Sequence, residues 1–397
     1  MRLLVIGVGG QGEASILQAL KDPSLSKLKI ADINEERIKH LTVKLNNKKI
    51  EPTRLDAAHY DEVSNSIEGM DVVINAIGAA GNPDLTHNVF NAALKMGTHY
   101  IDVATGGNKN MMNKQDKAWK DRNLTAIYSL GKTPGITNLL AKYASTQLDT
   151  VDTIRVLSTL DVISDEFLLM WYPLWNVMGF DPKTEKTQIY EDGEWKKVPA
   201  LSGEEIYEFP GDPQGPVTLY LSNHGEVQTL PRYIQGVKYV EFKHGQHIFP
   251  ALKVLAELFG SRKPITVKGI QVVPADVMEA VIPPVSILPE KIASGIVKDA
   301  YSCCVVEVKG KKRGVETKYT LSSPMDQKAC QSHLPGSQPE SIMVGTPSVI
   351  AASMLVEGKI KERGVMSPEA LDAQPILRRL ITDVGIEIRE KVETTWK

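Results

Sequence analysis

The run Gly7-Val8-Gly9-Gly10-Gln11-Gly12 has the spacing of a loop that receives a pyrophosphate. Gly7 permits a tight turn, Gly9 lets the backbone approach a phosphate closely, and Gly12 lets a helix sit close on a strand. The amides that open this helix, around Gly10 and Gln11, face phosphate oxygens. Asp32 lies twenty residues beyond Gly12. A carboxylate there accepts hydrogen bonds from the adenosine ribose hydroxyls. The chemistry indicated is capture of a dinucleotide. Asp32 would also repel a 2′-phosphate, and the residues after it, Ile33, Asn34, Glu35 and Glu36, supply no base before Arg37. NAD is therefore the expected cofactor, with NADP the second choice.

These residues need a strand, a turn, a helix and a second strand to hold them. Met1–Ile6 is a short apolar run, 13–20 reads as a helix, and Leu28, Ile30 and Ala31 lead into Asp32. The alternation then continues. Strands are expected at 49–56, 71–78, 99–104 and 125–129, with helices at 34–45, 84–96 and 109–121. This is the rhythm of an α/β, Rossmann-type doubly wound parallel sheet. Ligands of such sheets sit at the carboxyl ends of the strands. That singles out Asp32 and Ile33, Asp56 and Ala57, Asn75, Ala76 and Gly78, Asp102, and the turn Gly131-Lys132-Thr133-Pro134-Gly135.

From about Val151 the pattern changes to runs of strands. Candidates are 151–162, 216–221, 237–242, 265–273, and the pair 301–308 and 315–321, with 309–314 as the turn between them. Asp192-Gly193 signals a hairpin between 188–191 and 195–198. Helices are expected at 249–259 and 274–281, and 167–179 is rich in aromatics. The implied second domain is α+β, built on a mixed or antiparallel sheet. Near the end, Thr346-Pro347 reads as an N-cap and first helical residue opening 347–357, and Ser367-Pro368-Glu369 repeats the device.

With 397 residues, 42% hydrophobic and 24% charged, the chain has ample core for two domains. A net charge of −2 without a basic block points away from nucleic acid and membrane surfaces. The apolar stretches fall short of a spanning helix and the N-terminus enters the fold at once, so a cytoplasmic protein is expected. Cys303, Cys304 and Cys330 make no disulfide framework; the first two sit in an apolar strand as core. His244 and His247 have metal-ligand spacing but no acidic or cysteine partner, and no metal is expected.

The sequence resembles the saccharopine dehydrogenase superfamily, in particular its lysine 6-dehydrogenase-like branch. The matching stretches are the glycine loop, Asp71–Ala76, Gly97–Asp102, Gly131-x-x-Pro134-Gly135-Ile136-x-Asn138, His224-Gly225-Glu226-x-x-Thr229-Leu230-Pro231-Arg232, and 345–369. The resemblance implies a cofactor domain over 1–135, a substrate and dimerisation domain over 136–343, and a C-terminal segment, 344–397, whose helices return to the cofactor domain. It also implies a homodimer and oxidation of a C–N bond with NAD(P), or its reverse.

That chemistry needs a neutral amine, because an ammonium has no lone pair, so a base must take a proton. His224 is the candidate base, because the unperturbed pKa of a histidine side chain lies near working pH. Asp102 would orient a substrate amine or, equally, cap the following loop. Lys132 joins them as a catalytic candidate, with Asn138 beside it for substrate contact. Arg232 would clamp a carboxylate, and Trp171 and Tyr172 would wall the pocket or pack in the core. The expected activity is oxidation of an amino acid or related amine. Its rivals are a saccharopine-type enzyme joining an amino acid and an oxo-acid, which needs more cationic side chains, and a non-catalytic NAD-binding regulator.

Overall fold

The computed structural model describes residues 1–77, 83–104, 109–166, 186–281 and 288–395. They form two units. The first comprises Met1–Tyr143 and Ser332–Ile386, and the second Ala144–Gln331 and Glu387–Lys397. The sequence reading places the divisions at 135 and 343. The first unit instead keeps the chain to Tyr143 and takes it up again at Ser332. The last eleven residues join the second unit.

In the first unit the chain runs β1 (Arg2–Ile6), α1 (Gly10–Lys21), β2 (Lys27–Asp32), α2 (Glu35–Leu45), β3 (Ile50–Arg54) and α3 (Tyr60–Ile67). It continues through β4 (Val72–Asn75), α4 (Pro83–Met96), β5 (His99–Asp102), α5 (Lys109–Lys114), α6 (Asp116–Asp121), β6 (Thr125–Ile127) and α7 (Ile136–Thr146). Strand residues Leu3 to Ile6, Val72 to Ile74 and Tyr100 to Ile101 are all but inaccessible to solvent, as near-continuous apolar runs in a two-sided parallel sheet must be.

The second unit begins with β7 (Thr150–Ser164), β8 (Lys186–Glu191), β9 (Glu194–Pro199), β10 (Glu205–Tyr207), β11 (Val217–Leu221), α8 (Gly225–Tyr233) and β12 (Tyr239–Gly245). Then come α9 (Phe249–Phe259), the small hairpin β13 (Ile265–Val267) and β14 (Ile270–Val272), α10 (Pro274–Val281), α11 (Leu288–Ala293), β15 (Val297–Lys312) and β16 (Val315–Asp326). After α12 (Gln327–His333) the first unit resumes with α13 (Pro339–Val356), β17 (Gly364–Met366), a 3₁₀ turn (Pro368–Ala370) and α14 (Ala373–Arg379), which runs on into a π-helical turn (Leu380–Val384). β18 (Arg389–Thr395) closes the second unit.

The first sheet is wholly parallel, in the order β17-β6-β5-β4-β1-β2-β3. The second is mixed, in the order β10-β11-β12-β7-β15-β16-β18, with the β8–β9 hairpin attached through β12. The α/β class and the second, mixed sheet are as the sequence reads. Asp192 and Gly193 take the two positive φ angles, 53° and 90°, that a two-residue hairpin turn requires. Cys303 and Cys304 are buried core residues of β15, and Cys303, Cys304 and Cys330 form no disulfide.

Four local expectations need correction. The helix placed at 347–357 begins at Pro339, so Pro347 is interior. The bond that its missing N–H forgoes, to Met343, costs about 3 kcal/mol, less than the burial of the apolar residues on either side, Ile342, Met343, Val349 and Ile350, contributes. The strand placed at 265–273 is a hairpin turning at Lys268 and Gly269, whose φ angles are 50° and 83°. The turn placed at 309–314 shrinks to Arg313 and Gly314, because Lys309–Lys312 pair with Val315–Lys318. The helix placed at 109–121 breaks at Gln115 into α5 and α6. The aromatic stretch 167–179 lies outside the described residues.

Candidate functional site

The glycine loop is built as its spacing demands. Gly7 has φ +97°, and a Cβ there would press on the carbonyl of Ala76. A Cβ on Gly12 would fall on the Gly7 carbonyl oxygen, while one on Gly9 would meet nothing among the described residues within 4 Å. So two glycines close the turn and the third leaves its surface open to a ligand's backbone approach. Gly9 caps α1 with no side-chain hydrogen bond to the first-turn amides. Glu13, the acid of that turn, is drawn to Lys44 at 2.8 Å. Asp32 ends β2 and holds the loop in place: its Oδ2 accepts from the Val8 amide at 2.6 Å and its Oδ1 from the Asn34 amide at 2.9 Å. Ile33, beside it, is 59% exposed and offers an apolar face. Uncapped amides, an open cradle at Gly9 and a carboxylate at the end of β2 fit a dinucleotide.

The ends of the next strands are occupied by loop-forming contacts. Asp56 Oδ1 accepts from the Ala58 amide at 2.9 Å, and the Ala57 carbonyl accepts from Asn88 Nδ2 at 2.9 Å. The Ala76 amide donates to the Ile6 carbonyl at 2.7 Å. Asn75 is buried, and its Nδ2 donates to Thr86 Oγ1 at 3.3 Å and to the Tyr100 hydroxyl at 3.2 Å. Tyr100 in turn donates to Asp102 Oδ2 at 3.1 Å, while Asp102 Oδ1 accepts from the Ala104 amide at 2.9 Å. Asp102 thus has the loop-capping contact of its second reading, within a buried chain of polar groups. Desolvation by burial outweighs these hydrogen bonds and pushes its carboxyl up to about 7. Gly78, Trp171 and Tyr172 lie outside the described residues.

Lys132 is buried and its Nζ meets Glu340 Oε2 at 2.5 Å. Asn138 Oδ1 accepts from the Gly135 amide at 2.8 Å, bracing the turn in which Gly135, at φ +137°, packs directly on Gly131. Both side chains therefore support the turn after β6, which also receives the carbonyl of Asp102 at the Leu130 amide. In the second unit His224 caps α8. Its Nδ1 contacts the fully buried Glu226 carboxylate, its ring stacks on Phe242 at 4.0 Å, and its side chain is 22% exposed. Nε2 has no hydrogen-bond partner among the described residues. A carboxylate fixing one imidazole nitrogen while the other stays available is the geometry of an oriented acid–base. Arg232 sits at the other end of α8, its guanidinium 5.7 Å from the Trp195 ring centroid, on the solvent side. At 1.5 Å per residue that is roughly 12 Å along the helix from His224, so the two do not converge.

Sequence reasoning gives no role to Glu226, Tyr100 or Glu340. Glu226 stands two residues from His224 and could have been found as its partner. Glu340, 208 residues from Lys132, carries no such signal. His244 packs edge-on against Phe249 and His247 Nε2 lies 3.4 Å from Asp212. Among the described residues no group of three or more His, Cys, Asp or Glu side chains is placed to hold a metal.

Residues 3–127 match the saccharopine dehydrogenase NADP binding domain and residues 131–386 the saccharopine dehydrogenase C-terminal domain. Carboxyaminopropylagmatine dehydrogenase from Synechocystis sp. is 25% identical over 98% of either chain. Carboxynorspermidine synthase from Vibrio alginolyticus is 27% identical, over 98% of this chain and 96% of that one. Among solved structures, apo saccharopine dehydrogenase (L-Glu forming) from Saccharomyces cerevisiae shares the fold, with a TM-score of 0.75 over 99% of both chains at 14% identity.

Proposed function

The chain belongs to the saccharopine dehydrogenase family and is an NAD(P)-dependent dehydrogenase of CH–NH donors; on that premise we propose that its substrate is a carboxylated secondary amine joining an amino-acid arm to a polyamine-like base. The reaction in the joining direction is condensation of an aldehyde with a primary amine, loss of water, and hydride addition to the imine carbon with proton uptake at nitrogen. A bound nicotinamide dinucleotide supplies or accepts that hydride. The observation that carries the reading is the end-to-end match to relatives named for such compounds. It revises the lysine 6-dehydrogenase-like expectation toward the joining-and-splitting rival.

Three features of the chain serve this chemistry. Gly9 and the first-turn amides of α1 bind the pyrophosphate. Asp32 accepts from the adenosine ribose, and its charge disfavours a 2′-phosphate, so NAD is preferred over NADP. His224, held through Nδ1 by Glu226, takes the proton at Nε2 that a protonated amine must lose before it can react.

The test mixes NADH or NADPH with agmatine and a propanal bearing amino and carboxyl groups, and follows cofactor absorbance. The expected result is cofactor oxidation that needs both organic partners, is faster with NADH, and is lost at neutral pH in His224→Asn with partial recovery as pH rises. Turnover of NAD with lysine alone, and none with the mixture, would return the enzyme to the lysine-oxidising reading. A clear NADPH preference would overturn the role given to Asp32.

A further inference from the structure

We propose that Ser341 is a ligand of the cofactor pyrophosphate, brought to it by a second helix N-terminus that α13 sets beside that of α1. The inference rests on the dinucleotide site at the glycine loop and adds a donor from the far end of the sequence. A Cβ on Gly10 would lie 2.9 Å from Ser341 Oγ. One turn further, a Cβ on Gly345 would collide with the Gln11 carbonyl oxygen and lie 3.0 Å from the Ser15 amide. Ser15 Oγ donates to the Gly345 carbonyl at 2.8 Å. Positions 10, 11 and 15 of one helix thus meet 341 and 345 of the other in the same order. The helices run parallel and begin at the same level, so both positive dipole ends face the same way.

Ser341 is 2% exposed, and its hydroxyl has no hydrogen-bond partner among the described residues. A buried hydroxyl left unmade costs about 1–3 kcal/mol, so such a group calls for an explanation. Its neighbour Thr346 shows the usual solution, a bond back to the carbonyl four residues earlier. Ser341 makes none, and sits against Gly10, the first residue of α1. The charges nearby are arranged to suit an anion. Glu340, the acid in the first turn of α13, is paired with Lys132, and Glu13, its counterpart in α1, with Lys44. A phosphate oxygen held by the Gly10 and Gln11 amides gives the Ser341 hydroxyl its missing acceptor. Because the pyrophosphate is common to NAD and NADP, this contact contributes to the affinity for both and does not discriminate between them.

The test titrates the full-length protein, Ser341→Ala and Ser341→Cys with NADH and NADPH by fluorescence, and with ADP and adenosine as competitors. Loss of a hydrogen bond to a charged group weakens binding by about tenfold or more. NADH, NADPH and ADP should therefore all bind about tenfold more weakly to both variants, with adenosine unchanged and the melting temperature at or above that of the wild type. Wild-type affinity in Ser341→Cys, which keeps the volume and loses the hydroxyl, would overturn the assignment. So would an equal loss for adenosine and ADP, the mark of a collapsed pocket. Wild-type protein that bound no dinucleotide would remove the glycine-loop site itself, and this inference with it.

Discussion

Asp102 shows how far a single residue's environment can depart from what its type suggests. Its ordinary pKa is near 4, and burial carries it to about 7 in the fold. The folded protein therefore keeps a proton that the unfolded chain has released. Stability from this group is fully present below the unfolded value and is lost as pH rises toward about 7, by about 4 kcal/mol at most. Asp102→Asn has no such titration. It starts lower at pH 5, since its amide offers Tyr100 a second donor where that hydroxyl needs an acceptor. The gap in melting temperature between wild type and variant should narrow as pH goes from 5 to 8. A gap that stays constant would mean the carboxyl is ionised throughout. At this scale the glycine loop was legible because its six residues are contiguous and three of them, Gly7, Gly9 and Gly12, each have a separate steric duty. The Lys132–Glu340 and Tyr100–Asp102 contacts were not, since nothing in a lysine or tyrosine announces which carboxylate the fold will bring to it.

Between elements, α1 and α13 of the first unit pack closely, through Gly10, Ser15, Ser341 and Gly345. Adding a side chain at Gly345 would drive it into the Gln11 backbone, which cannot yield as a flexible side chain would. Overpacking of this kind costs about 1–3 kcal/mol. Gly345→Val should lower the denaturation midpoint accordingly and weaken NADH binding, because it shifts the helix that carries Ser341. Unchanged stability and affinity would show that the two helices do not touch there. The sequence misplaced the start of α13 for an identifiable reason: Thr346-Pro347 has the residue types of a helix opening, and it is the burial of apolar residues on both sides of Pro347 that carries the helix through it. The β8–β9 hairpin was legible because Asp192-Gly193 suits a turn with two positive φ angles. The one at Lys268-Gly269 was not, lysine being a poor signal for the same geometry. In the second sheet, Arg155 gathers Glu241 at 2.5 Å and Glu307 at 2.9 Å, together with Glu205. No local pattern connects these residues, because strand order rather than chain order makes them neighbours.

At the scale of the molecule, the first unit is discontinuous, and its second segment is structural rather than an appendage. α13 is apolar on all sides and long enough to cross a membrane, but 89% of it is buried within the protein, as expected of a core helix. Ile342, Met343, Val349, Ile350, Met354 and Leu355 are all nearly inaccessible to solvent. At about 1.5–3 kcal/mol for each fully buried side chain, their removal would cost on the order of 10 kcal/mol, comparable to the whole stability of a typical domain. β17 also covers the edge of β6, pairing Gly364–Met366 with Thr125–Ile127. A fragment of residues 1–143 keeps the whole glycine loop and Asp32, yet should fail to melt cooperatively and should not bind NADH. Joining it to 332–386 through a flexible Gly/Ser linker should restore both properties, since every strand of the parallel sheet is then present. Circular dichroism melts and fluorescence titration of the two proteins decide the matter. A fragment of 1–143 that bound NADH as tightly as the fusion would show that the nucleotide site is complete without α13, and that the core this helix fills can close without it.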